Sequence, residues 1–162
     1  IKTYSNCILA IPFSKIEHDI ESVDLTIKCK VTFSEFPILN PYHRTEIGDL
    51  CIKKGLFNEK DYDKLHMSVM NKSPLSCFTE KEKNIQRNIS QLGVVVIWLP
   101  FFRNIAMKYL IYLPPNKIYF LLYFLAKTYL IKTKIYPIRV DFKTFFSNLI
   151  KGLKLEVFKR SD

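Results

Sequence analysis

Seven consecutive residues, Asn40-Pro41-Tyr42-His43-Arg44-Thr45-Glu46, bring together an amide, a phenol, an imidazole, a guanidinium, a hydroxyl and a carboxylate. An Asn-Pro step is stiff, so it fixes the direction in which Asn40 and Tyr42 point. Arg44 could grip an anionic group through a forked pair of hydrogen bonds, with His43 beside it. A His-Arg pair that opens a helix is nevertheless most often solvated surface. Thr45 and Glu46 also have a local task, as helix cap and first-turn acid, that holds whether or not anything binds. His18 and His66 have no partner at catalytic spacing. The stretch therefore suggests recognition rather than acid–base or nucleophilic chemistry.

The four cysteines, Cys7, Cys29, Cys51 and Cys77, stand 22, 22 and 26 residues apart. That spacing contains no CxxC or CxxxCxxC, so nothing supports zinc or an iron–sulfur cluster held by this chain. With no secretory signal in view, they read as buried free thiols in a reducing compartment, which points to the cytoplasm.

The elements that must position the corner follow from periodicity. The run 6–13, NCILAIPF, predicts a short buried strand. Ser14 and Glu17 predict a capping box, with Ile16, Ile20, Val23 and Ile27 at helical spacing behind it. The early acids Glu17, Asp19 and Glu21 match the helix dipole. Residues 31–39 predict a second strand. A helix then starts at Thr45, places Ile47, Leu50 and Cys51 on one face, and stops at Gly55. This is β-α-β-α, the order of parallel strands with helical crossovers. Residues 58–78 lack periodicity and read as an ordered connector with one helical turn. Thr79 and Glu82 form a second capping box, opening a helix with Ile85, Ile89, Leu92 and Val96 in line and Pro100 at its end. Further helices are predicted over about 101–113, 117–134 and 141–153, the last with Phe142, Phe145, Phe146, Leu149, Ile150 and Leu153 on one face.

Charge divides the chain. Residues 1–80 hold 10 Lys/Arg against 11 Asp/Glu, and residues 81–162 hold 15 against 4. The second half also has 15 of the 23 aromatics. No uncharged run approaches the roughly 20 apolar residues of a spanning helix. A helical cap with solvated lysines ranks first for this half, and contact with an anionic membrane surface second. Nucleic acid is a distant third, since no recognised nucleic-acid motif accompanies the basic residues.

The order of these pieces resembles the C-terminal part of radical S-adenosylmethionine enzymes, particularly those with a cobalamin-binding domain. In that family two strand ends typically read Gly-Leu-Pro-Gly-Glu-Thr and Pro-Tyr-Pro-Gly-Thr-Glu-Leu. Here they are Ala10-Ile11-Pro12-Phe13-Ser14-Lys15 and Pro41-Tyr42-His43-Arg44-Thr45-Glu46-Ile47. The segments SPLSCFTEKEKNIQRN and LPPNKIYFLLYFL resemble the helical tail of the group, and the likeness covers most of residues 5–130. It implies an α/β-then-α chain: one or two β/α units of an incomplete TIM-like barrel over 1–57, a connector over 58–78, and a helical tail over 79–162.

The resemblance further implies S-adenosylmethionine and a four-iron–four-sulfur cluster in the parent enzyme, with cobalamin in some members. The cluster's CxxxCxxC lies upstream of this segment, so the chain alone is expected to be inactive. Its partners would be the N-terminal barrel and cobalamin-binding regions of the parent and a small or lipid-like substrate. The cofactor-facing residues carried over are Ala10, Pro12, Asn40, Pro41, Tyr42 and Thr45; His43, Arg44 and Glu46 are the substrate-facing ones. Phe13 stands where the family has a glycine and would crowd a nucleotide, which makes the second corner the firmer of the two. The competing reading is a non-enzymatic basic helical module that binds an anionic membrane or a protein partner, peripheral at the membrane. Two parallel strands are too few to stand alone, so the isolated chain is expected to be poorly stable in its first half.

Overall fold

In a computed structural model, residues 1–65 and 72–136, with Ser147 and Ile150, are described. These residues form a mixed α/β, mostly helical structure with five α-helices and one two-stranded parallel sheet. The helix predicted over 141–153 lies outside the described residues, apart from Ser147 and Ile150.

The strands are β1 (Tyr4–Asn6) and β2 (Phe33–Glu35), in register Tyr4↔Phe33, Ser5↔Ser34 and Asn6↔Glu35. Both are shorter than the apolar runs suggest. Beyond them an isolated parallel bridge pairs Leu9 with Ile38, and Leu39 N–H donates to Leu9 O at 2.9 Å. The strand path thus continues, irregularly, up to the two prolines Pro12 and Pro37.

Helix α1 (Ile16–Lys28) joins the strands. The expected Ser14–Glu17 capping box does not form. Phe13 turns with φ +65°, Ser14 N–H closes on Ile11 O at 2.9 Å, and the helix starts one residue late. Lys15 stands at its N-cap, its N–H donating to His18 Nδ1 at 3.2 Å. Helix α2 (Glu46–Lys53) is capped by Thr45 and stops at Gly55, whose φ of +67° is the left-handed stop that the glycine predicts. A 3₁₀ turn, Glu59–Lys64, follows.

Helix α3 (Glu80–Trp98) opens with the Thr79–Glu82 capping box, Glu82 N–H donating to Thr79 Oγ1 at 3.3 Å. The single helix expected over 101–113 is instead three short pieces: a 3₁₀ turn at Pro100–Phe102, α4 (Arg103–Lys108) and a 3₁₀ turn at Leu110–Tyr112. The buried Asn88 amide donates to the carbonyls of Ile111 (2.9 Å) and Leu113 (2.7 Å), drawing the end of this segment out of α geometry. Helix α5 (Lys117–Leu130) begins at the Asn116 cap and ends in a π turn, Ile131–Ile135.

One apolar cluster unites Leu9, Val23, Phe33 and Phe36 with residues of α3 and α5. The sheet is therefore not left alone, and the physical reason for a weak first half is removed. Two polar ties reinforce the union. Arg103 clasps Asp24 of α1 with both ends of its guanidinium, Nε to Oδ1 at 2.7 Å and a terminal nitrogen to Oδ2 at 2.5 Å. Glu35 meets Lys127 of α5 and accepts from Tyr4 OH at 2.7 Å. Burial pushes the Glu35 carboxyl up, but Lys127 and the Tyr4 and Tyr123 hydroxyls outweigh it and hold the group below its usual value. Burial, then the adjacent Glu35, pushes the Tyr4 phenol up to about 12. A second, smaller cluster of Ala10, Ile38, Cys51, Leu56, Phe57, Leu75 and Phe78 sits under α2.

Candidate functional site

In parallel β/α structures, ligands gather at the carboxyl ends of the strands. Those ends here are the corners 10–15 and 40–46, placed side by side by the Leu9–Ile38 bridge. Against the second corner lies an apolar groove of 310 Å³ lined by Ile8, Pro37, Ile38, Leu39, Asn40, Tyr42, Thr45 and Ile47.

The second corner is a locked turn. Thr45 Oγ1 donates to Tyr42 O at 2.8 Å and accepts Gly48 N–H at 3.1 Å. Gly48 must be a glycine, because a Cβ there would lie 2.2 Å from Tyr42 O. Arg44 completes the turn at φ +59°. The lock leaves Tyr42 57% exposed over the groove. Among the described residues, neither the Asn40 amide nor the Tyr42 hydroxyl has a protein partner. Pro41 is buried beneath the turn. His43 leaves the groove and stacks on Tyr62, ring centroids 3.4 Å apart. Arg44 and Glu46 are exposed to solvent. The structure thus brings Asn40, Tyr42 and Thr45 to one groove and sets His43, Arg44 and Glu46 outside its lining.

The first corner is built differently. Ala10 and Pro12 are buried and do not line the groove, while Phe13 is 65% exposed. Ala10 takes φ +57°, a conformation that costs an L-residue about 1 kcal/mol or more. What holds it is Asp19, whose Oδ1 accepts Ala10 N–H at 3.1 Å. Asp19 is only 3% exposed. Its other oxygen and the side-chain amide of the fully buried Gln86 have no hydrogen-bond partner.

Sequence reasoning assigned Asp19 to the helix dipole and passed over Gly48. A glycine in the first turn of a helix, where propensity disfavours it, was the available signal for the latter. For Asp19 no local signal exists, since its role depends on burial by α3.

Burial pushes the Asp19 carboxyl up to about 6, against the lowering pull of Ala10 N–H. The folded state therefore binds this proton more tightly than the unfolded chain does. The associated stability is complete below about pH 4 and is lost as pH rises through about 6, a difference of about 3 kcal/mol. Asp19→Asn keeps an oxygen for Ala10 without the buried charge. It is expected to gain about 1–3 kcal/mol at pH 7.5 and to flatten the stability profile between pH 4 and 6, read from urea midpoints across pH.

The groove, apolar with two available polar groups, suits the edge of a flat ring. An iron–sulfur cluster does not fit: among the described residues no three His, Cys, Asp or Glu side chains converge. The cysteines are unbridged, but only Cys51 is buried as expected; Cys7 and Cys77 are half-buried, and Cys29, at the end of α1, is exposed. No helix among the described residues is long and apolar enough to cross a membrane. No protein-family model, curated protein or solved structure matches the chain.

Proposed function

We propose that the chain is the C-terminal portion of a radical S-adenosylmethionine enzyme, contributing the last two strands of an incomplete barrel and the helical tail behind them. The observation that carries this reading is the asymmetry of the two sheet edges. The hydrogen bonds Cys7 N–H to Glu35 O, Leu9 N–H to Pro37 O and Phe33 N–H to Thr3 O turn the odd-numbered residues of 3–9 toward β2. Strand geometry then aims the amides and carbonyls of Tyr4, Asn6 and Ile8 at the opposite edge. No described residue meets them there. The outer edge of β2 is different, because Phe36 O accepts the Ser90 hydroxyl of α3 at 2.6 Å. One edge is open to a preceding strand, and the other is met by α3 of the tail at Phe36, as expected of the final wedge of a barrel.

In this reading Asn40 and Tyr42 hold the flat part of the nucleoside at the strand ends. The Thr45–Gly48 lock keeps Tyr42 aimed at it, and the apolar groove excludes water. S-Adenosylmethionine, when bound, supplies the adenosyl group. The cluster ligands, and cobalamin where it is used, belong to upstream residues of the parent. Among the described residues no carboxylate, imidazole or amine lines the groove, which fits a role in binding.

The test is reductive cleavage of S-adenosylmethionine by the parent polypeptide containing this chain, assayed as 5′-deoxyadenosine under anaerobic reduction. Cleavage is expected, with Tyr42→Ala and Asn40→Ala each raising KM for S-adenosylmethionine about ten-fold or more. A parent reading frame without CxxxCxxC sinks the assignment.

A further inference from the structure

Helix α5 is apolar on two sides. One side, with Tyr119, Phe120, Tyr123, Ala126 and Leu130, faces the core. The other shows Ile118, Leu121, Leu125 and Tyr129, exposed by 65, 44, 43 and 45%. At 100° per residue these four fall within an arc of about 80°, a single stripe along a helix about 21 Å long. A soluble surface helix turns charges to water on that side. This one does not, and a contiguous apolar stripe of this kind marks an interaction surface.

Charge says what covers it. From Lys83 to Val140 the sequence has no Asp or Glu and nine Lys/Arg. Some of those are spent internally: Lys83 pairs with Glu80, Arg103 with Asp24 and Lys127 with Glu35. Lys108, Lys117 and Lys134, by contrast, are exposed. Tyr109 and Tyr136 are exposed as well, by 68 and 64%. A second exposed line, Phe101, Ile105, Tyr109 and Tyr112, runs along α4 and its flanking 3₁₀ turns. Tyr119 OH, donating to Leu110 O at 3.0 Å, ties that segment to the start of α5.

A protein partner of ordinary composition would need a large acidic face to match this segment. An anionic bilayer supplies negative charge and an apolar layer together, and tyrosines settle at its headgroup level. We infer that the exposed stripe of α5 is a membrane-docking face that lies in the interface of an anionic bilayer, with Lys117 and Lys134 on the headgroups. The docking is interfacial and leaves the helix core contacts intact. It does not depend on the enzymatic reading, because the strand-end groove takes no part in it.

Flotation of the full chain with vesicles tests the inference, using phosphatidylserine-containing vesicles against pure phosphatidylcholine. Binding is expected to the anionic vesicles at low salt and to fall as salt rises. Leu121→Glu/Leu125→Glu, both at exposed positions, should abolish flotation while leaving the thermal melt unchanged. Lys117→Gln/Lys134→Gln should weaken it about 25-fold, about five-fold for each lysine. Three results overturn the inference: no flotation at low salt, flotation indifferent to the leucine changes, or a dimer in light scattering that the leucine changes dissolve while vesicles remain unbound. The last would make a second copy of the chain the occupant.

Discussion

Replacing Phe36 with alanine is expected to lower stability by about 3–5 kcal/mol and to abolish the folded state of sheet and helices in one transition. Phe36 is fully buried in the cluster that joins the strands to α3 and α5, and truncating a buried Phe removes apolar transfer energy and leaves a cavity. The ring lies on Gly93 of α3, where an added Cβ would sit 2.6 Å from its Cδ2 and 2.9 Å from its Cε2. Gly93→Ala should therefore destabilise as well. Alanine in mid-helix returns about 1 kcal/mol, but overpacking a ring with no room to move costs about 1–3 kcal/mol. The two changes share one contact, so their effects should not add: Gly93→Ala in a Phe36→Leu background is expected to be far milder than in the parent. Circular dichroism and tryptophan fluorescence of Trp98 should report the same midpoint, since one cluster spans both halves. Separate midpoints would mean that the strands and helices fold as independent units.

The second large effect is expected at Gly48. Its substitution by alanine puts a methyl group 2.2 Å from Tyr42 O, a backbone atom that cannot yield without moving the turn. The Thr45 hydroxyl, bonded to that same carbonyl and to Gly48 N–H, then loses both partners together. The expected cost is about 3 kcal/mol, the sum of a steric shift and a lost cap of about 1 kcal/mol. Thr45→Ala alone should cost only the cap, and Thr45→Ser almost nothing. Near-ultraviolet circular dichroism from Tyr42 offers a local readout. If Gly48→Ala melts like the parent with Tyr42 unperturbed, the turn is looser than its geometry indicates.

What could be read from the residues was whatever depends on near neighbours. The Thr79–Glu82 box, the Thr45 cap, the Gly55 stop and the span of α5 all rest on contacts within a few positions, and each was legible. Reading failed where distant chain intervenes. The Ser14–Glu17 pair has the right spelling for a capping box, but Ala10 and Phe13 are held at positive φ by the tertiary setting, Asp19 among it, and the helix starts later. The segment 101–113 has helical periodicity, but an amide on α3 claims the carbonyls at its end. The corner at 40–46 could be recognised as a corner from Asn-Pro and Thr-Glu. Its division of labour, with Tyr42 over the groove and His43 turned to Tyr62, depends on a connector ring 19 positions further on, and no local rule predicts that pairing.

The seat of Phe36 on Gly93 also has a consequence for synthesis. The helix that shelters this ring arrives 57 residues later in the sequence, and at about 5–20 residues per second the wait lasts roughly 3–11 s. During that interval Leu9, Phe33 and Phe36 are uncovered on the ribosome. A nascent chain in that condition is a substrate for chaperones that hold extended apolar segments, and slowing translation between residues 36 and 93 should lower the yield of native protein.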